Sequence, residues 1–245
     1  MYRFGKHPAK SDYRTLRLKD YLKSIDAPPK KVDVLAEMAT RLKLAKLPVE
    51  TLFPMDGNDT YGDCTIAAIA HALTAFHGLI GKKHVPRKTT VTKLYFKLTG
   101  GVDSGLDPLT VVDYWRKNAV SDDKILAYAK INPRDHTTVK QAVRLFGGIY
   151  TGFQVQENCI EDFDNKKPWD VGRLTNNGHM VQTVAYDSEG VTLLTWGNTQ
   201  RGTWAWWDEC VDEAYAILPP EAKVSGFTTG FNFAQLKEDL SLITG

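Results

Sequence analysis

The stretch NDTYGDCTIAA, residues 58–68, passes from a polar, glycine-containing loop into an apolar helical pattern, and the change occurs at Cys64. Asp63 is a residue type typical of helix N-caps, and apolar residues beginning with Ile66 and Ile69 recur at spacings of three and four. The pattern predicts a helix that begins at Cys64. A thiol there lies beside unpaired backbone N–H groups and the positive end of the helix dipole, which favour the thiolate. Cys64 is therefore a candidate nucleophile, and the alternative is a small buried apolar residue.

The composition of the whole chain is that of an ordinary globular protein. Its 245 residues are 42% hydrophobic and 24% charged, enough for one large domain or two lobes that share a cleft. A formal net charge of +2 gives no case for nucleic acid or an anionic membrane as the main partner. No apolar run approaches the roughly 18–20 residues of a membrane span. The first residues lack the apolar core of a secretory signal, which predicts a cytoplasmic or virion location.

The three cysteines are far apart and odd in number, so neither a disulfide framework nor a zinc site is predicted. Cys159 and Cys210 have no candidate base nearby and are interpreted as structural. A cysteine nucleophile that is activated by a protein base needs no metal and no other cofactor, so none is predicted.

The chain divides into three parts by composition. Residues 1–50 contain a Pro-Pro pair and one amphipathic segment, and they are interpreted as an arm that wraps over the main domain as a docking or pro-like segment. Residues 51–218 form the main domain, and residues 219–245 are interpreted as a tail that packs on it.

Within the main domain, helical patterns precede strand patterns. Helices are predicted from Cys64, from Pro108 after an Asp107 cap, and over TTVKQAVRLFGG, which ends at two glycines. Segments rich in β-branched and aromatic residues then predict four strands, IYTGFQV, HMVQTVAYD, GVTLLTWGN and GTWAWWD, followed by a short helix, DECVDEAYAIL. Helices followed by strands indicate an α+β fold with segregated lobes.

A predicted hairpin supplies a base for the candidate nucleophile. If Ser188 and Glu189 form its two-residue turn, His179 lies directly opposite Asn198 on one face of the sheet. The same register pairs Thr183 with Leu194. An Asn oxygen in that position could hold the imidazole in one tautomer and leave the other nitrogen for the thiol.

The order Cys64, His179, Asn198 resembles that of papain-like cysteine peptidases. The resemblance covers roughly residues 51–218 and includes GHMVQTVAYD, TWGN and GGIYTGFQV. It implies a helical lobe of about residues 51–146, an antiparallel β lobe of about residues 147–218, and an active-site cleft between them. It also implies an oxyanion donor six residues before the nucleophile, at Asn58.

Three departures from the family pattern bring the sequence closer to divergent papain-like proteins of bacteria and their phages. Asn58 replaces the family's usual Gln, no aromatic residue follows Cys64, and WGNTQRG lacks the family's Trp after its Asn-Ser pair. The leading hypothesis is a hydrolase that cleaves a peptide or isopeptide bond of a protein substrate. The alternatives are acyl transfer by the same residues, or an inactive papain-like protein that binds an assembly partner through residues 1–50, such as a phage virion or host-interaction component.

Other titratable residues near Cys64 are interpreted as structural. His71 lies two helical turns away, too far to be the base, and His77 and His84 lack a carboxylate or Cys at ligand spacing. Three aspartates are interpreted as parts of a solvated loop with capping roles: Asp56, Asp59 and Asp63.

Overall fold

The structure is a computed structural model that describes residues 1–12, 15–22, 27–219 and 231–243. Most of the predicted tail, residues 220–230 and 244–245, lies outside the described residues. In the described part of the chain, no helix is both long and apolar enough to cross a membrane.

The described helices follow a 3-10 turn at Leu18–Tyr21. They are α1 (Val34–Arg41), α2 (Val49–Leu52), α3 (Cys64–Leu79), α4 (Lys88–Leu98), α5 (Pro108–Lys117), α6 (His136–Phe146), α7 (Cys159–Asp164), α8 (Trp204–Cys210) and α9 (Phe233–Ile243). The strands are β1 (Val32–Asp33), β2 (Ala127–Ile131), β3 (Ile149–Gln156), β4 (Leu174–Tyr186), β5 (Gly190–Thr195), β6 (Asn198–Thr203) and β7 (Val211–Leu218).

The strands form one antiparallel sheet in the order β2-β7-β3-β4-β5-β6, with β1 paired to β4. One apolar cluster fills the space between this sheet and α6 and α8. A second cluster joins α3, α4 and α5. The predicted α+β fold, with a helical part followed by an antiparallel β part, is confirmed.

The central helix α3 is buried at every residue except His77. It begins at Cys64 as predicted, but the side chain of the N-cap residue Asp63 makes no capping hydrogen bond. Two other predicted helix ends are confirmed: Asp107 accepts from the Leu109 amide, and Gly147 ends α6 in the left-handed region with φ 67°.

The prediction is wrong for residues 204–218, where helix and strand are exchanged. The predicted strand GTWAWWD contains α8, because Thr203 Oγ1 accepts from the Trp206 amide and caps a helix. Trp206 and Trp207 are both fully buried, whereas a strand would place these neighbouring side chains on opposite faces. The predicted helix DECVDEAYAIL contains β7, which lies between β2 and β3 and is buried on both faces. Tertiary packing overrides local propensity here.

Candidate active site

Cys64 and His179 line the same small cavity, between the first turn of α3 and strand β4. Both side chains are buried, with Cys64 0% and His179 1% exposed. The cavity has a volume of about 10 Å³, which leaves room for a single water at most.

The imidazole of His179 is held at one nitrogen and free at the other. Nε2 lies 2.8 Å from Thr195 Oγ1, at the end of β5. Nδ1 is buried and has no hydrogen-bond partner. In the tautomer whose proton is on Nε2, that N–H donates to Thr195 and Nδ1 carries a lone pair. Nδ1 is therefore not hydrogen-bonded to the Cys64 thiol in this conformation, although both residues line one cavity.

Burial keeps both groups neutral in this conformation. It raises the pKa of Cys64 to about 12, although hydrogen bonds from the backbone of Met180 and Gly5 act in the opposite direction. It lowers the pKa of His179 to about 3, with a smaller contribution from His71. The expectation that the helix start favours a thiolate is therefore wrong for this conformation, because the loss of hydration outweighs the helix dipole.

The predicted pairing of His179 with Asn198 is also wrong. A bulge between Thr183 and Ala185 shifts the β4–β5 register by one residue, so that Thr183 pairs with Leu193. Trp196 and Gly197 then form a two-residue turn with φ 48° and 76°, and Asn198 begins the next strand. Its side chain is exposed and accepts from the Thr199 amide.

Thr195 and Trp196 are site residues that the sequence analysis missed. The Trp196 ring stacks on His179, with centroids 4.7 Å apart, and its Nε1–H donates to Asn58 Oδ1 over 2.9 Å. Gly197 follows a run of strand-forming residues. This glycine was the sequence signal for the turn that positions Thr195 and Trp196.

The predicted oxyanion residue Asn58 lines the same cavity and is buried. Its Oδ1 is bound by Trp196, and its Nδ2 donates one hydrogen to the Tyr61 carbonyl over 3.1 Å. The Asn58 side chain also hydrogen-bonds to the Asp63 carboxyl and so opposes the rise in the pKa of that group.

The comparisons with known proteins bear on this geometry. The chain matches no protein-family model and no curated protein sequence. Among solved structures, it is similar to xylellain, a cysteine protease from Xylella fastidiosa, with 17% identity, a TM-score of 0.66, and coverage of 89% of this chain and 96% of that one.

Two further solved structures have the same fold at lower similarity. The cysteine protease and lectin-like domains of Cwp84, from Clostridium difficile, give 13% identity and a TM-score of 0.57 over 89% of this chain and 56% of that one. A procathepsin B from Trypanosoma congolense gives 9% identity and a TM-score of 0.54 over 89% of this chain and 86% of that one. This chain has the papain-like fold. The resemblance predicted from the sequence is confirmed at the level of the fold.

The N-terminal segment, residues 2–7, covers the site of this papain-like chain. The Phe4 ring contacts the His179 ring edge-on with centroids 5.6 Å apart, and the Tyr2 ring stacks on Trp196 at 4.6 Å. The segment also makes backbone hydrogen bonds to residues on both sides of the cavity. They are Arg3 N to Asn58 O, Leu106 N to Gly5 O, Lys6 N to Gly178 O, and His7 N to Leu106 O, at 2.8–3.1 Å.

The close passage of this segment requires a glycine at Gly5. A Cβ at that position would overlap the carbonyl of Gly62, which lies two residues before Cys64. Close contact between Gly5 and Gly62, together with the backbone hydrogen bonds, therefore holds the segment against the site.

Two aspartates next to the cavity are buried, so their interpretation as solvated loop residues is wrong. Asp56 is 2% exposed and Asp63 is 0% exposed. Burial raises the pKa of Asp56 to about 8 and the pKa of Asp63 to about 7. His71, also on the cavity wall, lies with Nε2 2.9 Å from the Pro54 carbonyl, and burial lowers its pKa to about 4.

One cluster of described residues offers ligand atoms for a metal. His77, His84 and Asp123 each bring one such atom, all within 4.8 Å of one another. His77 Nε2 lies 3.0 Å from Asp123 Oδ2, which makes a hydrogen-bonded pair without any ion. The carboxylate comes from a loop far along the chain from both histidines, so the spacing of residues around the histidines does not indicate the cluster.

Proposed function

We propose that this chain is a cysteine-dependent hydrolase of peptide or isopeptide bonds, held closed by its own N-terminal segment. One observation carries the proposal. Cys64 and His179 line one cavity, and His179 is held at Nε2 by Thr195 while Nδ1 has no partner. A nucleophile and an oriented base in one cavity are the elements of acyl transfer.

In the proposed reaction, the N-terminal segment first leaves the surface that it covers at the site, and substrate takes its place. His179 Nδ1 takes the thiol proton, and Cys64 Sγ attacks the carbonyl carbon. The Cys64 amide and Asn58 Nδ2, which must then give up its bond to Asp63 or Tyr61, stabilise the oxyanion. The C–N bond breaks as the imidazolium protonates the leaving amine. Water, deprotonated by His179, then cleaves the thioester and releases the acid and the free thiol.

The closed conformation explains why the proposed enzyme is inactive until it opens. Burial is the largest cause of the raised pKa of Cys64 and of the lowered pKa of His179. Water that enters on opening removes much of that desolvation, and both shifts shrink together. The helix N-terminus then favours a thiolate, and the neighbouring thiolate favours an imidazolium.

The decisive experiment measures the rate of Cys64 alkylation by iodoacetamide against pH, by mass spectrometry, with Cys159 and Cys210 as internal controls. Gly5→Ala opens the site through its overlap with Gly62, and Gly172→Ala is the matched control away from the site. We expect Cys64 in Gly5→Ala to react rapidly already near pH 6, and its profile to return to that of the controls when His179→Ala is added. A Cys64 rate that rises only near pH 8.5 in the opened protein would exclude the hydrolase.

The second candidate function is an inactive papain-like protein that binds an assembly partner. The observation that favours it is the closed site, in which the N-terminal segment covers the site residues and both candidate groups are neutral. Residues 1–50 would then be the surface through which this chain binds its partner, which would be another component of a phage virion or a host protein. Such a protein has no use for a thiolate, so the alkylation profile separates the two functions. Acyl transfer differs from hydrolysis only in its products.

A further inference from the structure

The side chain of Lys6 occupies a buried acidic pocket beside the candidate site. The name Lys6 pocket is used here for the surface formed by Gly152, Gly178, Asp212 and Glu213. The Lys6 side chain is 1% exposed, and its Nζ lies 2.9 Å from both Asp212 Oδ2 and Glu213 Oε1. The pocket therefore already holds one cationic side chain, supplied by the chain itself.

The charges of the Lys6 pocket favour a cation over a neutral group. Glu213 is fully buried, and its second oxygen accepts from the Tyr215 hydroxyl over 2.8 Å. Asp212 adds a second carboxylate, so two acidic groups face one ammonium. A buried carboxylate without a cationic partner is strongly unfavourable. If Lys6 leaves, Glu213 requires either another cation or a proton.

Two glycines make the space for a long side chain. A Cβ on Gly152 would overlap Lys6 Cε and would lie 2.7 Å from Glu213 Cγ. A Cβ on Gly178 would lie 3.3 Å from Lys6 Cβ. The pocket is thus deep enough for an extended lysine because both walls lack side chains.

The Lys6 pocket opens next to the candidate nucleophile. Lys6 N donates to the carbonyl of Gly178, the residue before His179, and the ring of Phe4, two residues before Lys6, lies 5.6 Å from the His179 ring. Leu106 pairs with the other side of the segment. A peptide that replaces the segment meets the same backbone groups, and one of its side chains then points into the pocket.

We propose that the Lys6 pocket is the specificity pocket of this site and binds a lysine or arginine side chain of the substrate, close to the bond that is cleaved. This inference rests on the proposed function and names its substrate class: peptides with a basic residue. Lys6 occupies the pocket in the closed protein and must leave before such a substrate binds.

The test is a binding measurement that does not require turnover. The full chain carries Gly5→Ala, which opens the segment, and Lys6→Ser, which empties the pocket. Labelling of Cys64 by N-ethylmaleimide at pH 8.5 verifies opening, and Phe4→Ala is added if Cys64 stays protected. Isothermal titration then compares acetyl-Gly-Lys-Gly-amide with the same peptide containing norleucine, which has a similar length and no charge.

We expect the lysine peptide to bind at least about 10-fold more tightly, since hydrogen bonds to charged groups discriminate by roughly that factor. Glu213→Gln, which keeps an acceptor for Tyr215, abolishes the preference. Glu209→Gln, at an exposed position on α8, is the matched control for the loss of one charge and keeps it. If Glu213→Gln shows no cooperative unfolding, Asp212→Asn replaces it and reduces the preference.

Equal binding of the two peptides, no binding of either to the opened protein, or a lysine preference that survives Glu213→Gln overturns the inference. Alkylation of Cys64 in the same opened variant reports on the proposed function separately. A reactive Cys64 without a lysine preference refutes the proposed role of the Lys6 pocket and supports the hydrolase. A lysine preference with an inert Cys64 shows that the pocket binds basic peptides and refutes the proposed hydrolase.

Discussion

The imidazole of His179 is anchored by Thr195, through a distance of 2.8 Å between Nε2 and Oγ1, and not by Asn198. The hydroxyl sits at the last residue of β5 and is buried, so water does not compete for it. Because Thr195 binds Nε2, Nδ1 is the nitrogen that remains for the thiol in the proposed reaction.

Thr195→Val tests this anchor directly, since valine keeps the shape and removes the hydroxyl. In the Gly5→Ala background, we expect the rate of Cys64 alkylation near pH 7 to fall by about 10-fold, because the imidazole loses the group that fixes its tautomer. Asn198→Ala is the companion variant, and we expect its rate to stay within about twofold. The reverse result, a loss in Asn198→Ala alone, would restore the residue that the sequence suggested.

The sequence was sufficient for those parts of the site that depend on local patterns. Helical periodicity and the loop before it located Cys64 at the start of α3, and strand alternation located His179 on β4. The orienting residue depends instead on a one-residue bulge at Thr183 and on the turn at Trp196 and Gly197. A single residue of register changes which side chain lies opposite His179. Gly197 signals the turn, but no local signal marks the bulge at Thr183.

Two other features depend on contacts between distant parts of the chain. The tryptophan-rich segment has high strand propensity, but Trp206 donates to Gln156 and Trp207 donates to the Pro133 carbonyl, contacts that only the folded chain provides. The position of residues 2–7 over the cavity likewise follows from bonds to residues 55 to 172 positions away, such as Gly178. The composition of residues 1–50 indicated an arm, but composition carries no information about which surface of the main domain the arm covers.

Lys6→Met is expected to destabilise the protein by about 3–5 kcal/mol at pH 8, because it leaves Glu213 buried without a cation. Burial already raises the pKa of Glu213, and Lys6 is the main opposing influence. Without Lys6, Glu213 takes up a proton more readily, so the loss is smaller at pH 5. Urea unfolding at both pH values measures the difference.

The control for Lys6→Met is the double variant Lys6→Met/Glu213→Gln, in which no buried carboxylate remains at position 213. We expect it to recover much of the lost unfolding free energy at pH 8, a positive coupling between the two positions. A double variant no more stable than Lys6→Met would mean that the lost lysine packing, and not the charge of Glu213, causes the effect.

Trp196→Phe separates the two roles of the indole. The ring that stacks on His179 is kept, while the Nε1–H that donates to Asn58 Oδ1 is lost. We expect a destabilisation of about 1–3 kcal/mol in urea unfolding, since the buried amide oxygen is left without a donor. Trp204→Phe removes a comparable donor to the Asp187 carbonyl at a half-buried position, where water can replace it. Equal losses in the two variants would argue against a special role for the Asn58 bond.

The buried titratable groups around the cavity predict how the free energy of unfolding changes with pH. The pKa of Asp56, about 8, and that of Asp63, about 7, are raised above their unfolded values near 4, so these groups stabilise the protein at low pH and lose that contribution as the pH rises. His71 and His179 have lowered pKa values, and their contribution is lost below about pH 6.5. The two sets oppose each other between pH 4 and 6.5, and only the aspartates remain above that range. We therefore expect the unfolding free energy from urea titrations to fall between pH 6.5 and 8.

Asp56→Asn assigns the cause of that fall, because asparagine keeps the shape and cannot ionise. It should flatten the decline between pH 6.5 and 8 and make the variant more stable than the parent at pH 8. Asp59→Asn is the matched control three residues along the loop, where an exposed carboxylate pairs with Lys88 over 3.2 Å and has a lowered pKa. It titrates well below this range, so its removal should leave the slope unchanged. Asp63 still titrates in this range, so a reduced slope remains in Asp56→Asn. A slope as steep as that of the parent would show that Asp56 is ionised in the folded protein throughout this range.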